Sequence, residues 1–444
     1  MEDWLLPSLF LILTAVFLAL SLLLIGRFEW QTFAIVIGLV GVGSLVASWH
    51  WLRLPKATEQ SGEFEVRVKS SPVSKLSGQL VYVDLPDRTR LRATFPQQDS
   101  INYGDVYLVD GDIQLPRSDV NFNEKGFLLA HGATGRIVIR DAELIGQNQG
   151  NIILVQLHHF KVWLSRRLVR IFGDPEQQLI AGVLLGDNSN ISDKLEEIFR
   201  LTGTSHVLVA SGSNVLIIAW VALAGLAFLG KKRASVLALT LVAAFTVISG
   251  ADASIIRAAV FYVFIAGAVV FGRRVHGPTI IALVALMMSV INPWLILYDV
   301  AFQLSFAAVI GLMVFSEWFL LVFKKLPFSQ IIALTLAAQL TTLPVLIFHF
   351  GQVSLISPLA NLVVTPLIPI LMAGAAASLI LPWVLILPWL TEGLAVVVIR
   401  LVDKLSQVGW ASQSLPVHHL GWTGGVLILI GIIYLLKKHA QKTT

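Results

Sequence analysis

The chain has no cysteine among its 444 residues. Disulfides, thiolate metal sites and cysteine nucleophiles are therefore excluded. Charge is scarce as well. Asp, Glu, Lys and Arg make up 13% of the sequence against 56% hydrophobic residues, where soluble domains carry about 25% charged residues. No Gly-x-x-x-x-Gly-Lys-Ser/Thr loop occurs, so the chain shows no signature of nucleotide-driven work. The first apolar run, Trp4–Ile25, lacks a basic leader and a small-residue cleavage site. It reads as a retained anchor rather than a signal peptide. The net charge of +5 suits an anionic partner, but basic cytoplasmic loops account for it equally well.

What is present in quantity is apolar sequence in runs of about 18 to 20 residues, enough to cross roughly 30 Å of hydrocarbon. The fold class expected is a polytopic α-helical membrane protein of about eleven spans carrying an inserted β domain. Spans are expected at Trp4–Ile25, Thr32–Trp49, His206–Leu229, Ala234–Gly250, Ser254–Phe271, Pro278–Asn292, Val300–Val322, Gln330–Phe350, Ile356–Met372, Ala373–Leu387 and Gly421–Leu436. With that number, the basic clusters Lys231–Arg233, Arg273–Arg274, Lys324–Lys325 and Lys437–Lys438 all fall on one side, the cytoplasm. The N-terminus and the β domain then lie outside, in a bacterial inner membrane.

Four regions follow: a two-span anchor (1–52), the β domain (53–150), an interfacial helix (151–175) and a bundle (176–444). The β domain shows five alternating runs, FEVRVKS, GQLVYVDL, RLRATF, DVYLVDGDIQL and GRIVIRDAEL. Five short strands suggest a compact barrel of OB type. In the following stretch Ile153, Leu154, Leu157, Phe160, Leu164, Leu168 and Ile171 recur at helical spacing. His159, Lys161, Arg166, Arg167 and Arg170 lie on the other side. Such a basic amphipathic helix is expected to lie on the membrane surface against anionic lipid. Thr391–Val408 reads as a second interfacial helix.

Polar residues inside the bundle mark candidate functional positions, because lipid excludes them. Thr204, Ser205, His206, Ser211, Ser213 and Asn214 cluster where a span begins. On a continuous helix His206, Ser213 and Asn214 share a face, being seven and eight residues apart. Asp252 and Arg257 stand at the edge of another span, as an interfacial pair with Arg257 snorkelling outward or as a phosphate contact at a mouth. Asp299, Gln303 and Phe306 share a face at i, i+4, i+7, with Ser305 beside them. Asn361 sits among Pro344, Pro358, Pro366 and Pro369, a pattern that breaks helices at membrane depth. Each set reads either as pore lining or as hydrogen bonding between packed helices.

Several of these stretches resemble the competence-channel family known as ComEC. The segment LLGDNSNISDKLEEIFRLTGTSHVLVASGSNV, the pattern Gly250, Ser254, Arg257, Ala258, the run FQLSF (Phe302–Phe306) and Ala360, Asn361, Leu362, Pro366 match its motifs in order. The likeness covers roughly Gln177–Ile380. It departs at Ser213-Asn214, where the family usually has Leu-His. No HxHxDH-type cluster is present, whereas many members carry a metallo-β-lactamase-like nuclease domain. The resemblance implies a non-enzymatic channel, without a cofactor, that passes single-stranded DNA into the cytoplasm during natural transformation. It also implies a DNA receptor, a separate nuclease and a cytoplasmic helicase-like motor as partners.

In such a protein the β domain would receive the strand by stacking and backbone contacts. Candidates are Arg67, Lys69, Tyr82, Arg88, Arg90, Arg92 and Phe95, with Phe64, Tyr103 and Tyr107. Arg88, Arg90 and Arg92 are expected as a row on one strand face. Two other classes remain open from the residues alone. One is a transporter of a small or lipid-like anion, using Asp299 and Asn361 at a midplane site. The other is an intramembrane hydrolase built on Ser211 or Ser205 with His206.

Overall fold

A computed structural model describes residues 57–408 and 412–414, apart from 71, 76–77, 97–100, 118–122, 188, 190, 251–252 and 274–276. The expected spans Trp4–Ile25, Thr32–Trp49 and Gly421–Leu436 lie outside the described residues, as does Asp252. The chain divides into two compact units. One takes residues up to Trp163 together with Val215–Asp299; the other takes Leu164–Asn214 and residues from Val300 onward.

In the first unit, alternating apolar residues close a small barrel. Its strands are β1 (Gln60–Val68), β3 (Gly78–Asp84), β4 (Arg90–Phe95), β5 (Val106–Gln114) and β6 (Gly135–Gly146), with β2 (Val73–Lys75) paired to β3. The order β1-β5-β6-β4-β3 returns to β1 through Arg67↔Asp84 and Val68↔Val83. β4 and β6 run parallel, and the other pairs are antiparallel. Inward residues such as Val66, Val83, Leu91, Phe95, Val109 and Ile137 are fully buried. Burying one such side chain contributes roughly 1.5–3 kcal/mol. All five expected strands appear. β2 is too short for alternation to reveal.

Helix α1 (Glu124–Ala130) interrupts β5 and β6, starting at Asn123, whose Oδ1 accepts from the Gly126 N–H at 2.8 Å. Helix α2 (Ile152–Ile171) runs from the first unit into the second. The second unit then opens with α3 (Glu176–Leu185), α4 (Asp193–Leu201) and α5 (Ser205–Leu208). Apolar helices follow: α6 (Gly212–Gly225), α7 (Lys231–Ile248), α8 (Ala253–Val270) and α9 (Gly277–Ile291), then the short α10 (Trp294–Tyr298).

The second unit resumes with α11 (Val300–Phe323) and α12 (Ser329–Phe350), β7 (Gln352–Ser354), α13 (Ser357–Val364), α14 (Leu367–Ile380), α15 (Ile386–Ser406) and β8 (Ser412–Ser414), paired to β7. Among the described residues three stretches are long and apolar enough to cross a membrane: Val300–Phe323, Ser329–Phe350 and Ser357–Ile380. Three shorter apolar helices span Gly212–Gly225, Ser254–Val270 and Gly277–Ile291.

Two expectations about spans are corrected here. Ile356–Met372 and Ala373–Leu387 are not separate helices. α13 and α14 form one stretch of 24 residues, about one bilayer thickness, and Leu381–Leu385 then leaves the helix. The expected span His206–Leu229 is also broken, between α5 and α6.

Candidate functional site

The family-like stretches of the second unit meet in a polar knot at helix ends. α4 ends on a loop in which Thr202 Oγ1 donates to the Ile198 carbonyl at 2.9 Å and lies 2.8 Å from Thr204 Oγ1. Gly203 adopts φ +67°, a conformation that suits glycine. A Cβ there would lie 2.7 Å from Ser357 Cβ and Oγ. The loop is thus pressed against the first turn of α13. Ser354 Oγ donates to the Leu201 carbonyl at 2.9 Å, and Arg200 Nη1 donates to Gln352 Oε1 at 3.0 Å. Ser357 Oγ accepts from Gln339 Nε2 at 2.9 Å and Asn361 Nδ2 at 3.1 Å. The first and last of the sequence stretches therefore touch, with α12 joining them.

The other end of the knot holds Ser211, Ser213 and Asn214. Asn214 is buried, and its Nδ2 donates to the Val183 carbonyl at 2.8 Å. Val183 lies in the last turn of α3, where carbonyls lack helical partners. Asn214 thereby caps α3 from α6. Ser211 Oγ lies 2.7 Å from Ser213 Oγ, and both hydroxyls donate to Asn214 Oδ1, at 3.3 and 3.2 Å. Because Val209–Ser211 is not helical, His206 does not share a continuous helix face with Ser213 and Asn214. That expectation is corrected. Ser205, His206 and Ser213 are exposed, whereas Thr204 and Asn361 are buried.

Asp299, Gln303 and Phe306 likewise do not share a helix face. Asp299 is extended, with φ −89° and ψ 102°, and precedes α11. Gln303 Oε1 instead meets His349 Nε2 at 2.7 Å across the α11–α12 pair. Ser305 is half-buried on α11. In the first unit Arg257 is 1% exposed and lies within electrostatic reach of Asp299, itself 6% exposed. Arg257 therefore does not snorkel outward. Its guanidinium is taken out of water, where a nearby opposite charge offsets part of the desolvation cost, and Asp299 supplies that charge.

On the barrel, the expected arginine row is incomplete. Arg88 stands in the β3–β4 turn at φ +67° rather than on β4. Arg90 is held by Asp84 at 2.7 Å, and Lys69 lies 3.7 Å from the same carboxylate. Arg67, on β1, is half-buried. Phe95 and Tyr107 pack edge to face in the core at 5.4 Å, so neither ring offers a face to a base. Phe64 also packs against the core, and Tyr103 is half-buried.

Tyr82 and Arg92 are opposite one another on β3 and β4, and both meet residues of α1. His131 stacks on Tyr82 at 5.8 Å and meets Phe127 at a tilt at 4.3 Å, while the Arg92 guanidinium lies 5.7 Å above the Phe127 ring. His131 itself is exposed. Phe127 and His131 are absent from the sequence candidates because seven helical residues are too few to show periodicity. The available signal was Asn123 as a cap and Gly132 as a stop.

The other side of α1 rests on the helical part of the same unit. Asn292 Nδ2 donates to the Leu129 and Ala130 carbonyls at 3.0 and 2.9 Å. A Cβ on Gly126 would lie 2.3 Å from the Tyr298 ring.

Comparison with known proteins bears on what this arrangement serves. ComE operon protein 3 of Bacillus subtilis (strain 168) is 31% identical over 211 residues. That match covers 46% of this chain and 26% of the relative, so the chain spans about a quarter of that protein's length in the match. No solved structure matches. The competence protein family matches residues 183–442, which contain most of the knot, both long hairpin helices and the broken pair α13–α14. The chain belongs to the competence protein family.

Proposed function

We propose that the chain is a membrane conduit through which single-stranded DNA enters the cytoplasm during natural transformation, with the barrel outside as an OB-like receiving domain. The observation that carries this reading is the polar knot. Interrupted helices, α5–α6 and α13–α14, bring hydroxyls, amides and helix ends together among apolar helices. Membrane proteins keep irregular backbone at such depth where it borders a path or is sheltered by protein. Ser205, His206 and Ser213 give the knot an exposed polar edge. Thr204, Asn214 and Asn361 hold it shut, and they line the path only when the helix ends part.

The barrel reading has its own support. A closed five-stranded barrel with one parallel pair is compatible with an OB fold, whose second and third strands bind oligonucleotides. Those strands here are β3 and β4, which carry Tyr82 and Arg92. The proposed partners are a surface DNA receptor, a separate nuclease and a helicase-like motor. No catalytic step is assigned to the chain. Deleting it should abolish entry of DNA into the cytoplasm while surface DNA binding persists, as read by protection of labelled DNA from added nuclease. Unchanged transformation would remove the proposal.

A further inference from the structure

Helix α2 presents to its surroundings only part of the apolar face its sequence pattern suggests. Val155 and Leu168 are buried at 2% and 0% exposure, and Leu157 and Leu164 are half-buried. Of the apolar stripe, Leu168 is thus buried and Leu154, Leu157, Leu164 and Ile171 are half-buried, while Ile153 and Phe160 stay outside. With Ile152 and Trp163 these make an exposed apolar group: Ile152, Ile153, Phe160 and Trp163 are 67%, 67%, 47% and 51% exposed. Phe160 and Trp163 stack at 5.7 Å. Ile152, Trp163, Arg166 and Arg170 recur at spacings that keep them on one side of the helix, and both arginines are exposed. The apolar members come first and the cations last. α2 thus divides lengthwise, with an apolar leading half and a cationic end.

α2 carries cations but no acid of its own. Its sequence, IILVQLHHFKVWLSRRLVRI, contains no carboxylate. The barrel arginines Arg90, Arg136 and Arg140 are each paired with Asp or Glu within 3.4 Å. Among the described residues no such ion pair is made by Arg166 or Arg170. Exposed Trp beside Arg on a helix suits the boundary between acyl chains and headgroups.

We propose that the exposed side of α2 is a binding site for anionic phospholipid. The Ile152–Trp163 half dips into the acyl boundary, and Arg166 and Arg170 hold phosphate-bearing headgroups. This choice is favoured over a nucleic-acid surface because the leading turn exposes Ile152 and Ile153, aliphatic side chains that suit acyl chains and offer a base neither a stacking face nor a hydrogen bond.

The cysteine-free chain makes the test direct. Gln156, exposed on the same side, is replaced by Cys in the full-length protein and labelled with bimane. The protein is then placed in vesicles of phosphatidylcholine with or without phosphatidylglycerol, using bromine-labelled chains of each lipid in turn. Quenching by both lipids is expected, with phosphatidylglycerol preferred by up to about thirtyfold at low salt for two arginines at the surface and less at high salt. R166Q/R170Q should bring the preference close to one, and R166K/R170K should keep it. No quenching by either lipid would overturn membrane contact. Equal quenching by both, or a preference that survives R166Q/R170Q, would overturn the headgroup site. An R166Q/R170Q protein that keeps its lipid preference but loses affinity for a single-stranded oligonucleotide would place nucleic acid there instead.

Discussion

At the scale of single residues, the knot owes its shape to positions where only one residue type fits. Gly203 meets two demands at once, a left-handed backbone and contact with Ser357. Gly203→Ala should lower stability by about 2 kcal/mol, from backbone strain and a Cβ clash together. The loss should appear as earlier unfolding of the detergent-solubilised protein. Asn214 illustrates a different constraint. Its amide supplies a donor to the Val183 carbonyl, so what matters at this position is the N–H rather than a particular ring or chain. Asn214→Ala should cost about 1–2 kcal/mol. Asn214→Asp, of equal size, should cost more, because it sets a carboxylate against a carbonyl.

Charge on the barrel surface follows similar local logic. Arg140 donates to Asp110 and Asp112 at 2.9–3.1 Å and so holds the Asp110 carboxyl below the usual carboxylate range. A lowered folded-state pKa stabilises the fold above the unfolded-state pKa, and that contribution disappears as pH falls through the lowered value. Arg140→Gln should return Asp110 to ordinary titration, as followed by its carboxyl carbon resonance, and should remove this part of the acid sensitivity.

At the scale of elements, the strands and the long helices were legible because period-two and all-apolar patterns are direct consequences of burial and of lipid. Val300–Phe323 and Ser329–Phe350 lie within a residue of where the sequence puts them. The breaks were legible only where proline announces them. Pro366, which cannot donate a backbone hydrogen bond, precedes α14. The break before α6 has no such marker. It depends on Asn214 reaching Val183, 31 residues earlier in the chain, and helical spacing carries no information about that contact.

Partner choice was hidden in the same way. Asp299 comes within electrostatic reach of Arg257, and Gln303 meets His349, across 42 and 46 residues of sequence. Local periodicity had assigned each to a nearer neighbour. The α11–α12 pair offers a test at this scale. Gly311 faces the Ala337 carbonyl and Thr341 Oγ1, which would lie 2.3 and 2.2 Å from an added Cβ. Thr341 also donates to the Ala307 carbonyl at 2.7 Å. Small residues let helices approach in this way. Gly311→Leu should force the pair apart and cost about 3 kcal/mol, whereas Ala338→Leu, on the same helix as Thr341 but off this contact, should cost less. Disulfide trapping between Cys pairs placed at 307 and 341 would report the separation directly.

At the scale of the molecule, the first unit poses the question of how the barrel stays fixed to apolar helices. The answer lies in α1, which has two working sides. One side meets the barrel through Phe127, His131 and Glu124, which reach Arg92, Tyr82 and Arg136. The other meets the α9–α10 corner through Gly126 against Tyr298 and through the carbonyls held by Asn292. The face of β3 and β4 proposed to receive DNA is therefore also the seat of the helix that anchors the barrel. A strand bound there and a docked α1 share Tyr82 and Arg92, so loosening α1 should change DNA binding as well as anchoring. Asn292→Ala removes both hydrogen bonds without touching the barrel. It should raise hydrogen exchange across Glu124–Ala130 by about tenfold, corresponding to roughly 1–1.5 kcal/mol of lost docking energy, with protection of the β1, β3 and β6 cores unchanged. If the barrel strands lose protection to the same degree, α1 is part of the barrel's own fold rather than its anchor. Affinity for a single-stranded oligonucleotide completes the measurement. It should rise in Asn292→Ala if docking competes with the strand, and fall if α1 must be seated for Phe127 and His131 to present their rings.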